Sequence, residues 1–494
     1  MEVFIFALLT LTSLVYYYYK KSFQYWEKKG VAQIKPSFPF GNIENPMTSK
    51  GGTVMNLADL HKQFKAKGEK IGGIYAGATP MLLIVDPEWV KNIVSKDFNY
   101  FNSHAAVFDE KDEPLEAHLF NLEGARWKDM RVKMTPTFTS GKMKMMFDIL
   151  LVCGNQLEEF IDSTKKDLDI KEILACFTTD VIGSCAFGLE CNSFKNPNAE
   201  FRSHGRKLFE SSLKFRLRNV LTMISPTLVK SLKLHFTDKC SSKFFRGVVK
   251  DTFEYRKSKN VTRNDFMQLL INMEQTAKEN NKSTYSIDEM AAQAFVFFLA
   301  GFETSSTTMT FCLYELAHHQ DIQDKLRKEI NETIKKHGGK LTYDAIMDMK
   351  YMEQVINETL RMYPPVHTLP RLCTQTYTLP NGSTIEKGTN VFISLIGLQR
   401  DEEYFPEPNK FNPDRFSDEN RRNITPYTFL PFGEGPRICI GLRFGMMQTK
   451  VGLSLILKNY KVSPHESLSY PMEFDNQSVI LSSKGKIMLK HERV

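Results

Sequence analysis

The chain has 494 residues, of which 42% are hydrophobic and 25% are charged, and this composition excludes an intrinsically disordered protein. Its formal net charge of +8 suits an acidic partner or an anionic membrane surface. Nucleic-acid binding is disfavoured, because no block rich in Lys and Arg carries interleaved aromatic residues. The eight cysteines form neither a zinc signature nor a disulfide framework, so free thiols in a reducing compartment are expected.

The first predicted element is a membrane anchor. Residues 3–19 form an almost unbroken apolar and aromatic run, near the lower limit of length for a membrane-spanning helix. Basic residues follow this run instead of preceding it, and no small-residue cleavage site ends it, which favours a retained anchor over a cleaved signal peptide. The positive-inside rule then places the rest of the chain on the cytoplasmic side, with residues 16–19 and Trp26 at the level of the lipid headgroups.

Short strands and helices are predicted next. Residues 71–85 are typical of two strands joined by a tight turn. The other elements expected outside the two segments discussed below are a helix over 89–96, a loop-rich stretch over 102–124, helices within 198–260, a hairpin turn at 380–382 and a strand over 391–396.

A long helix is predicted in the second half of the chain. Ser286 and Glu289 have the spacing of a capping box, and an apolar pattern without proline runs from them to His319. Such a helix is roughly 50 Å long and, being apolar on most faces, is expected to cross the interior. Residues 300–304, Ala-Gly-Phe-Glu-Thr, lie at its middle. A glycine, an acid and a hydroxyl are poor choices for helix stability there, which favours a chemical role.

One cysteine near the carboxyl end lies in a glycine-rich loop. Residues 432–441 read Phe-Gly-Glu-Gly-Pro-Arg-Ile-Cys-Ile-Gly, and a helix-like run follows over 442–457. The amino end of that helix and the nearby Arg437 favour the thiolate of Cys439, and the glycines let backbone N–H groups approach its sulfur. A rigidly held thiolate suits an axial iron ligand, whereas a single cysteine taken alone is more often a small buried apolar residue.

The glycine-rich string resembles the haem-binding signature of the cytochrome P450 family, Phe-Gly-x-Gly-x-Arg-x-Cys-x-Gly. The likeness extends over nearly the whole chain in five ordered signatures, and residues 135–144 and 176–188 are similar to insect microsomal members of family six. It implies a mainly α fold with small β-sheets (α+β), the cytochrome P450 fold, with an N-terminal membrane-anchor helix. We therefore expect residues 1–20 to be the anchor, 21–45 a basic linker containing prolines, and 46–494 the catalytic domain.

The resemblance also implies roles for individual residues around haem b (iron protoporphyrin IX). Cys439 would bind the iron, and Glu303 and Thr304 would relay protons. The cofactor-binding residues would be Trp127, Arg131, Arg371, Phe432, Gly433, Arg437 and Gly441. Glu358, Arg361 and Arg415 would form a buried ion network that locks the core around the cysteine loop. The candidates for the substrate pocket are Phe108, Phe120, Phe297, Gly301, Val366 and Leu369. We assign no role to His104 from the sequence.

The resemblance implies a haem-thiolate monooxygenase that inserts one oxygen atom from O2 into lipophilic small molecules, such as plant toxins or insecticides. A hydroxylase of endogenous hormones or fatty acids, a reductase-independent haem-thiolate isomerase and a non-catalytic haem carrier are the alternatives. NADPH would act only through a separate cytochrome P450 reductase, because the chain has no dinucleotide fingerprint; cytochrome b5 is an optional further partner. The protein would lie in the endoplasmic reticulum membrane, facing the cytoplasm, with the acceptor sequences at Asn260, Asn331, Asn357 and Asn381 free of sugar.

Overall fold

The computed structural model describes residues 1–43, 52–210, 212–280, 285–475 and 478–494. The helices in those ranges are α1 Glu2–Ser22, α2 Tyr25–Lys28, α3 Gly52–Ala66, α4 Pro87–Lys91, α5 Gly124–Met134, α6 Ser140–Ser163, α7 Ile170–Ile182, α8 Glu200–Phe209, α9 Leu213–Ile224, α10 Pro226–Ser231, α11 Lys239–Lys259, α12 Phe266–Glu279, α13 Ile287–His318, α14 Gln320–Lys336, α15 Tyr343–Asp348, α16 Lys350–Met362, α17 Leu395–Gln399 and α18 Leu442–Leu457. The strands are β1 Ile71–Ala76, β2 Thr79–Ile84, β3 Leu168–Asp169, β4 Thr368–Leu372, β5 Tyr377–Thr378, β6 Thr384–Ile385, β7 Asn390–Ser394, β8 Tyr460–Pro464 and β9 Met488–Arg493. The prediction of a mainly α fold with small sheets is confirmed.

The described strands form three small sheets. The largest has the order β1-β2-β7-β4, in which β2 and β7 are parallel and the other neighbours antiparallel. The others are β3-β9-β8 and β5-β6. The hairpins expected at 71–85 and around 380–382 are thereby confirmed. The strand expected over 391–396 ends early at Ser394, because its hydroxyl accepts a hydrogen bond from the N–H of Gly397 and begins α17.

Helix α13 is the centre of the helical layer. Its capping box is present, since the Ser286 hydroxyl accepts from the Glu289 N–H at 3.1 Å and the Glu289 carboxylate accepts from the Ser286 N–H at 2.9 Å. The helix has 32 residues, so it is about 48 Å long. Most of its side chains are buried, chiefly against α7, α11 and α18. The prediction of one long helix crossing the interior is therefore confirmed.

Two further helical predictions are met with changes at their ends. The helix expected over 89–96 consists of α4, which Asp86 caps, and a π-helical turn over 92–96. The stretch 198–260 folds as four helices, α8 to α11. In the segment before α5, expected to be loop-rich, the one helical element is a short 3-10 turn over residues 114–116.

Helix α1 has no buried residue and is long and apolar enough to cross a membrane. The expectation that Trp26 lies at the level of the headgroups is wrong, because its side chain is 0% exposed. Its indole N–H donates to the Ile74 carbonyl at 3.2 Å, and its ring occupies the place where a Cβ on Gly73 would stand, 2.2 Å away. The Gly73 N–H also donates to the Ala32 carbonyl at 2.7 Å, so the segment expected to be a linker packs onto β1. Its predicted end at residue 45 lies outside the described residues.

Candidate active site

The cysteine loop is a tight turn held by its own backbone. The Cys439 N–H donates to the Phe432 carbonyl at 2.8 Å, and the Gly433 N–H donates to the Leu430 carbonyl at 2.9 Å. Gly435 has φ +74°, and a Cβ there would lie 2.0 Å from the Val94 carbonyl oxygen. Only glycine fits such a left-handed position in close contact with another backbone, which accounts for this residue of the motif.

Several groups act on the Cys439 sulfur. Burial raises the pKa of the thiol, while the Gly441 N–H, which donates to the sulfur, and the positive charge of Arg131 lower that pKa. The side chain keeps accessible surface although protein surrounds it, so the sulfur faces an interior space. Gly441 precedes α18, as the sequence predicts, but the guanidinium acting on the sulfur belongs to Arg131.

The middle of α13 lies next to this loop. A Cβ on Gly445, in the first turn of α18, would be 4.0 Å from both the Phe432 ring and the Ser305 hydroxyl. The neighbouring Thr304 hydroxyl donates back to the Ala300 carbonyl at 2.5 Å. Burial raises the pKa of Glu303, and the charges of Lys171 and Arg202 oppose that rise. Ser305 of α13 therefore lies next to the first turn of α18 and the cysteine loop, whereas the charges that act on Glu303 belong to Lys171, Arg202 and Glu172.

Arg437 connects the cysteine loop to the segment before α5. Its guanidinium donates five hydrogen bonds of 2.6–3.3 Å to the carbonyl oxygens of Asn102, Leu119, Phe120 and Leu122. Its planar face lies 4.3 Å from the centre of the buried Trp127 ring, in the geometry of a cation–π contact. Trp127 and Arg437 are therefore in direct contact. In the sequence, only the family resemblance relates these two residues to one site.

Three guanidinium groups face one another beside the thiol. Burial, Arg371 and Arg131 lower the pKa of Arg437 to about 9, and burial lowers the pKa of Arg371 to about 10. The Nη1 group of Arg371 donates to the Pro370 carbonyl at 2.8 Å, while its buried Nε has no partner among the described residues. Buried cations without paired carboxylates need anionic ligands. A thiol and a cluster of cations fit haem, which has an iron and two propionates.

The predicted ion network is assembled in the core behind the loop. Glu358 binds Arg361 at 2.7 Å and Arg415 at 3.3 Å, and the side chains of Glu358 and Arg361 are 0% exposed. Glu358 therefore joins all three side chains of the predicted network.

The substrate-pocket candidates separate into two groups. The Phe297 ring is 8% exposed and packs against Phe138, Phe266 and Phe444, so it belongs to the core between helices. Gly301 faces Ile182 of α7, since a Cβ there would be 2.6 Å from the isoleucine Cδ1, and its small size serves helix packing. The role of Phe297 and Gly301 in substrate binding stays a prediction.

The other four candidates keep accessible surface. Phe120 and Val366 are exposed, and Phe108 and Leu369 are half-buried. Their role in substrate binding stays a prediction. His104, which receives no role from the sequence, stacks its ring on Phe120 with 4.1 Å between the ring centres.

Known proteins are similar to this chain over its whole length. The family model for cytochrome P450 matches residues 43–491. The chain is 41% identical to "Probable cytochrome P450 6a20" of Drosophila melanogaster, with 100% of both chains covered. It is also 41% identical to "Cytochrome P450 6k1" of Blattella germanica, over 98% of this chain and 95% of the relative.

Proposed function

The chain belongs to the cytochrome P450 family, and on that premise we propose that it oxygenates lipophilic foreign compounds, such as plant toxins or insecticides, with electrons that a reductase takes from NADPH. The predictions of the cytochrome P450 fold, of a monooxygenase of this family and of the likeness to insect family six are confirmed. The substrate class, the electron donor and the roles of individual residues belong to the proposal.

The observation that carries the proposal is the position of Cys439. Its sulfur faces an interior space, accepts a hydrogen bond from the Gly441 N–H and lies near the positive charge of Arg131. Haem bound there would supply the redox and oxygen chemistry, and thiolate ligation favours cleavage of the O–O bond. Trp127, Arg131, Arg371 and Arg437 would hold and neutralise the propionates, while Phe432 and Gly433 shape the loop.

The residues of α13 would handle the protons. Glu303 is half-buried, and burial raises its pKa, which favours the protonated carboxyl group that a proton donor needs. The Thr304 hydroxyl donates its one hydrogen to the Ala300 carbonyl, so its oxygen can accept a second hydrogen bond. It would pass that hydrogen on to bound O2 by leaving the carbonyl and would take a replacement proton from a donor such as Glu303. The isomerase alternative needs no such delivery, and this pair therefore favours a monooxygenase.

The test of the function is a two-stage measurement on the purified full-length protein. A carbon-monoxide difference spectrum of the reduced protein first reports thiolate ligation. A panel of lipophilic xenobiotics is then incubated with NADPH and an added reductase. We expect products only when NADPH and reductase are both present. Product without NADPH would support the isomerase, and turnover restricted to hormones or fatty acids would contradict the foreign-compound proposal.

Replacing Thr304 with alanine is expected to uncouple NADPH use from product formation. The variant should bind haem normally, but the yield of product per NADPH should fall about tenfold or more, because proton relay typically contributes 10²–10⁴ in rate. Peroxide should account for the lost electrons. Thr308→Ala is the matched control, since the Thr308 hydroxyl makes the same type of bond, to the Thr304 carbonyl at 2.8 Å. An unchanged product yield in Thr304→Ala would remove Thr304 from the relay.

The membrane location follows from the amino-terminal segment. Helix α1 has no buried residue and carries Lys20 and Lys21 in its last turn. Lysines at the carboxyl end of the apolar helix support an anchor in the endoplasmic reticulum membrane with the rest of the chain in the cytoplasm. That side would give access to the reductase and, as an optional second electron donor, to cytochrome b5.

The native protein is expected to carry no N-linked sugar. Among the acceptor sequences named above, those at Asn260, Asn331 and Asn381 are exposed, while Asn357 is buried. Absence of sugar from three exposed sites would therefore reflect topology and not burial. Electrophoretic mobility should not change on glycosidase treatment. A polar extension with an acceptor sequence added before Met1 should be glycosylated in the lumen and serves as the positive control; a shift in the native protein would reverse the topology.

A further inference from the structure

Polar contacts join two segments that are far apart in the sequence. The acidic segment is residues 107–116, and the crossing segment is residues 213–242, which run from α9 to the first turn of α11. Each contact takes one residue from each segment. The contacting pairs are Val107 with Arg218, Asp112 with Lys233, Glu113 with Ser242 and Glu116 with Thr237.

Two of these contacts are buried and use carboxylates. The Thr237 N–H donates to the Glu116 carboxylate at 3.0 Å, and the Ser242 hydroxyl donates to the Glu113 carboxylate at 2.6 Å. All four residues are at most 4% exposed. Neither carboxylate has a cation in hydrogen-bond contact in the part of the chain that the structure describes, so its charge is stabilised mainly by uncharged donors.

The other two contacts lie nearer the surface. Lys233 Nζ is 2.7 Å from an Asp112 carboxylate oxygen. The Arg218 guanidinium donates to the carbonyl oxygens of Leu234 and Val107, both at 2.9 Å. Arg218 therefore holds two parts of the crossing segment together and ties them to the acidic segment.

The joined segments lie on α13. The Phe295 ring of α13 is 6.4 Å from the ring of His118, which follows the acidic segment, and 5.3 Å from the Phe245 ring of α11, between ring centres. The carbonyl oxygens of Leu119 and Leu122, further along from His118, accept hydrogen bonds from the arginine of the cysteine loop. The acidic segment therefore connects the crossing segment to the candidate active site.

Glu116 can change its charge near neutral pH. Burial raises the pKa of its carboxyl group to about 7, and the charge of Glu113 adds to that rise. The N–H groups of Thr237 and Phe236 and the charge of Arg218 oppose it. A carboxylate at this position is therefore poorly compensated while the two segments are in contact.

The neighbouring Glu113 has similar surroundings. Burial raises the pKa of its carboxyl group, and the charge of Asp238 adds to that rise. The Ser242 hydroxyl, the Leu115 N–H and the charge of Arg246 lower it. Both buried carboxyl groups are thus easier to keep in the closed arrangement when they carry their protons.

We propose that these contacts form a clasp, which closes the candidate active site while the Glu116 carboxyl group is protonated and opens to admit lipophilic compounds when that group ionises. The proposal rests on the haem-thiolate function given above. It makes the access of substrate, and not the chemistry at the sulfur, the step that responds to pH.

The direction of the pH effect follows from linkage. Water reaches the carboxyl group in the open form, where its pKa returns to the ordinary value of about 4.3. The closed form therefore binds the proton more tightly, so its added stability is fully present below that ordinary value and is lost as the pH rises through about 7. The ratio of open to closed molecules should rise about tenfold between about pH 6 and about pH 8.

The experiment measures how fast phenyl isocyanide binds to the reduced full-length holoprotein. This probe is bulky, apolar and free of titratable protons, and the loss of the unligated haem absorption reports its binding. The wild-type rate should rise about tenfold from about pH 6 to about pH 8, because it follows the fraction of open molecules. Glu116→Gln keeps an acceptor for the Thr237 N–H but cannot ionise, and it should bind the probe slowly at both pH values.

Two variants serve as controls. Asp180 is a buried carboxylate outside the clasp; its oxygens accept from the Ser193 N–H at 3.0 Å, and burial raises its pKa. Asp180→Asn should keep the wild-type pH dependence. Asp112→Asn removes a pair with Lys233 in which each partner holds the other in its charged form, so any change in rate should be equal at both pH values. A wild-type rate that does not change with pH, or a pH dependence that survives in Glu116→Gln, would overturn the proposal.

Hydrogen exchange of the wild-type protein covers the case in which a variant does not fold. The Thr237 amide hydrogen, corrected for the intrinsic effect of pH on exchange, should exchange about tenfold faster at the upper pH, and an unchanged corrected rate would reject the clasp. The carbon-monoxide difference spectrum of the same samples reports thiolate ligation independently. Loss of that signature would contradict the proposed function, whereas its presence with an unchanged exchange rate would contradict only the clasp.

Discussion

Replacing Cys439 with serine is expected to abolish oxygenation and the thiolate signature of the carbon-monoxide difference spectrum. Activity should fall by more than about a hundredfold, because changes to the partners of a metal ligand already cost 10–100-fold and this change removes the proposed ligand itself. Serine is close to cysteine in size, so the loop should still form. The variant therefore separates the chemistry of the sulfur from the folding of its surroundings.

The structure explains why serine cannot replace this sulfur. Burial disfavours the anionic form at position 439, and the Gly441 N–H together with the Arg131 charge offsets that effect only in part. A thiol with an ordinary pKa near 8.5 can ionise there once iron binds. A hydroxyl is a far weaker acid, and its oxygen does not give iron the electron density that favours O–O cleavage.

Cys240→Ser is the control for this prediction. Cys240 is an exposed free cysteine at the start of α11, so its replacement should leave the spectrum and the turnover unchanged. X-ray absorption of the wild-type holoprotein should report a sulfur neighbour of iron, which Cys439→Ser should lose. If the serine variant kept both the sulfur signal and its activity, the iron ligand would have to be a different residue.

Features with a local cause could be predicted from the sequence. The capping box of α13 depends on two residues three positions apart, and β1 and β2 form a hairpin within one short segment. Position 435 requires glycine because its φ is positive, and the close approach of the Val94 carbonyl is a second reason. The family resemblance also identified Glu358, Arg361 and Arg415, and the Glu358 side chain does contact both arginines.

Features that depend on distant partners could not be predicted in this way. Trp26 follows an apolar run, which is typical of the membrane interface, but its position depends on a glycine 47 residues later. The side of α13 that Phe297 occupies depends on Phe266 of α12. His104 has no motif, and its place beside Arg437 arises because both side chains reach the carbonyl of Phe120. In each case tertiary packing decides which face a side chain occupies.

Replacing Arg361 with alanine is expected to give a protein that is mostly free of haem. Arg361 forms a two-bond pair with Glu358, at 2.7 Å and 2.8 Å, and both side chains are 0% exposed. Removing one member of a buried pair leaves the other charge unpaired, which costs roughly 3–5 kcal/mol of folding free energy. Arg415 lies 3.3 Å from Glu358 and can compensate only in part.

Hydrogen bonds connect this pair to the cysteine loop. Arg361 Nη1 donates to the Gln399 carbonyl at 3.0 Å, and the Gln399 side-chain oxygen accepts from the Leu430 N–H at 3.0 Å. Leu430 in turn holds Gly433 through its carbonyl. Loss of the Arg361 side chain therefore removes a support of Gln399 and, through it, of the turn that positions Cys439.

The haem-to-protein ratio and the thermal unfolding midpoint measure this effect. Arg415→Ala is the matched control: its side chain is 13% exposed and makes a single contact with Glu358, so its ratio should fall less. The double change Glu358→Leu with Arg361→Leu removes both buried charges and should regain part of the lost stability, since apolar replacement of a whole buried pair is often neutral or stabilising. A normal haem content in Arg361→Ala, or a double variant no more stable than the single one, would show that an unpaired Glu358 is not what destabilises the loop.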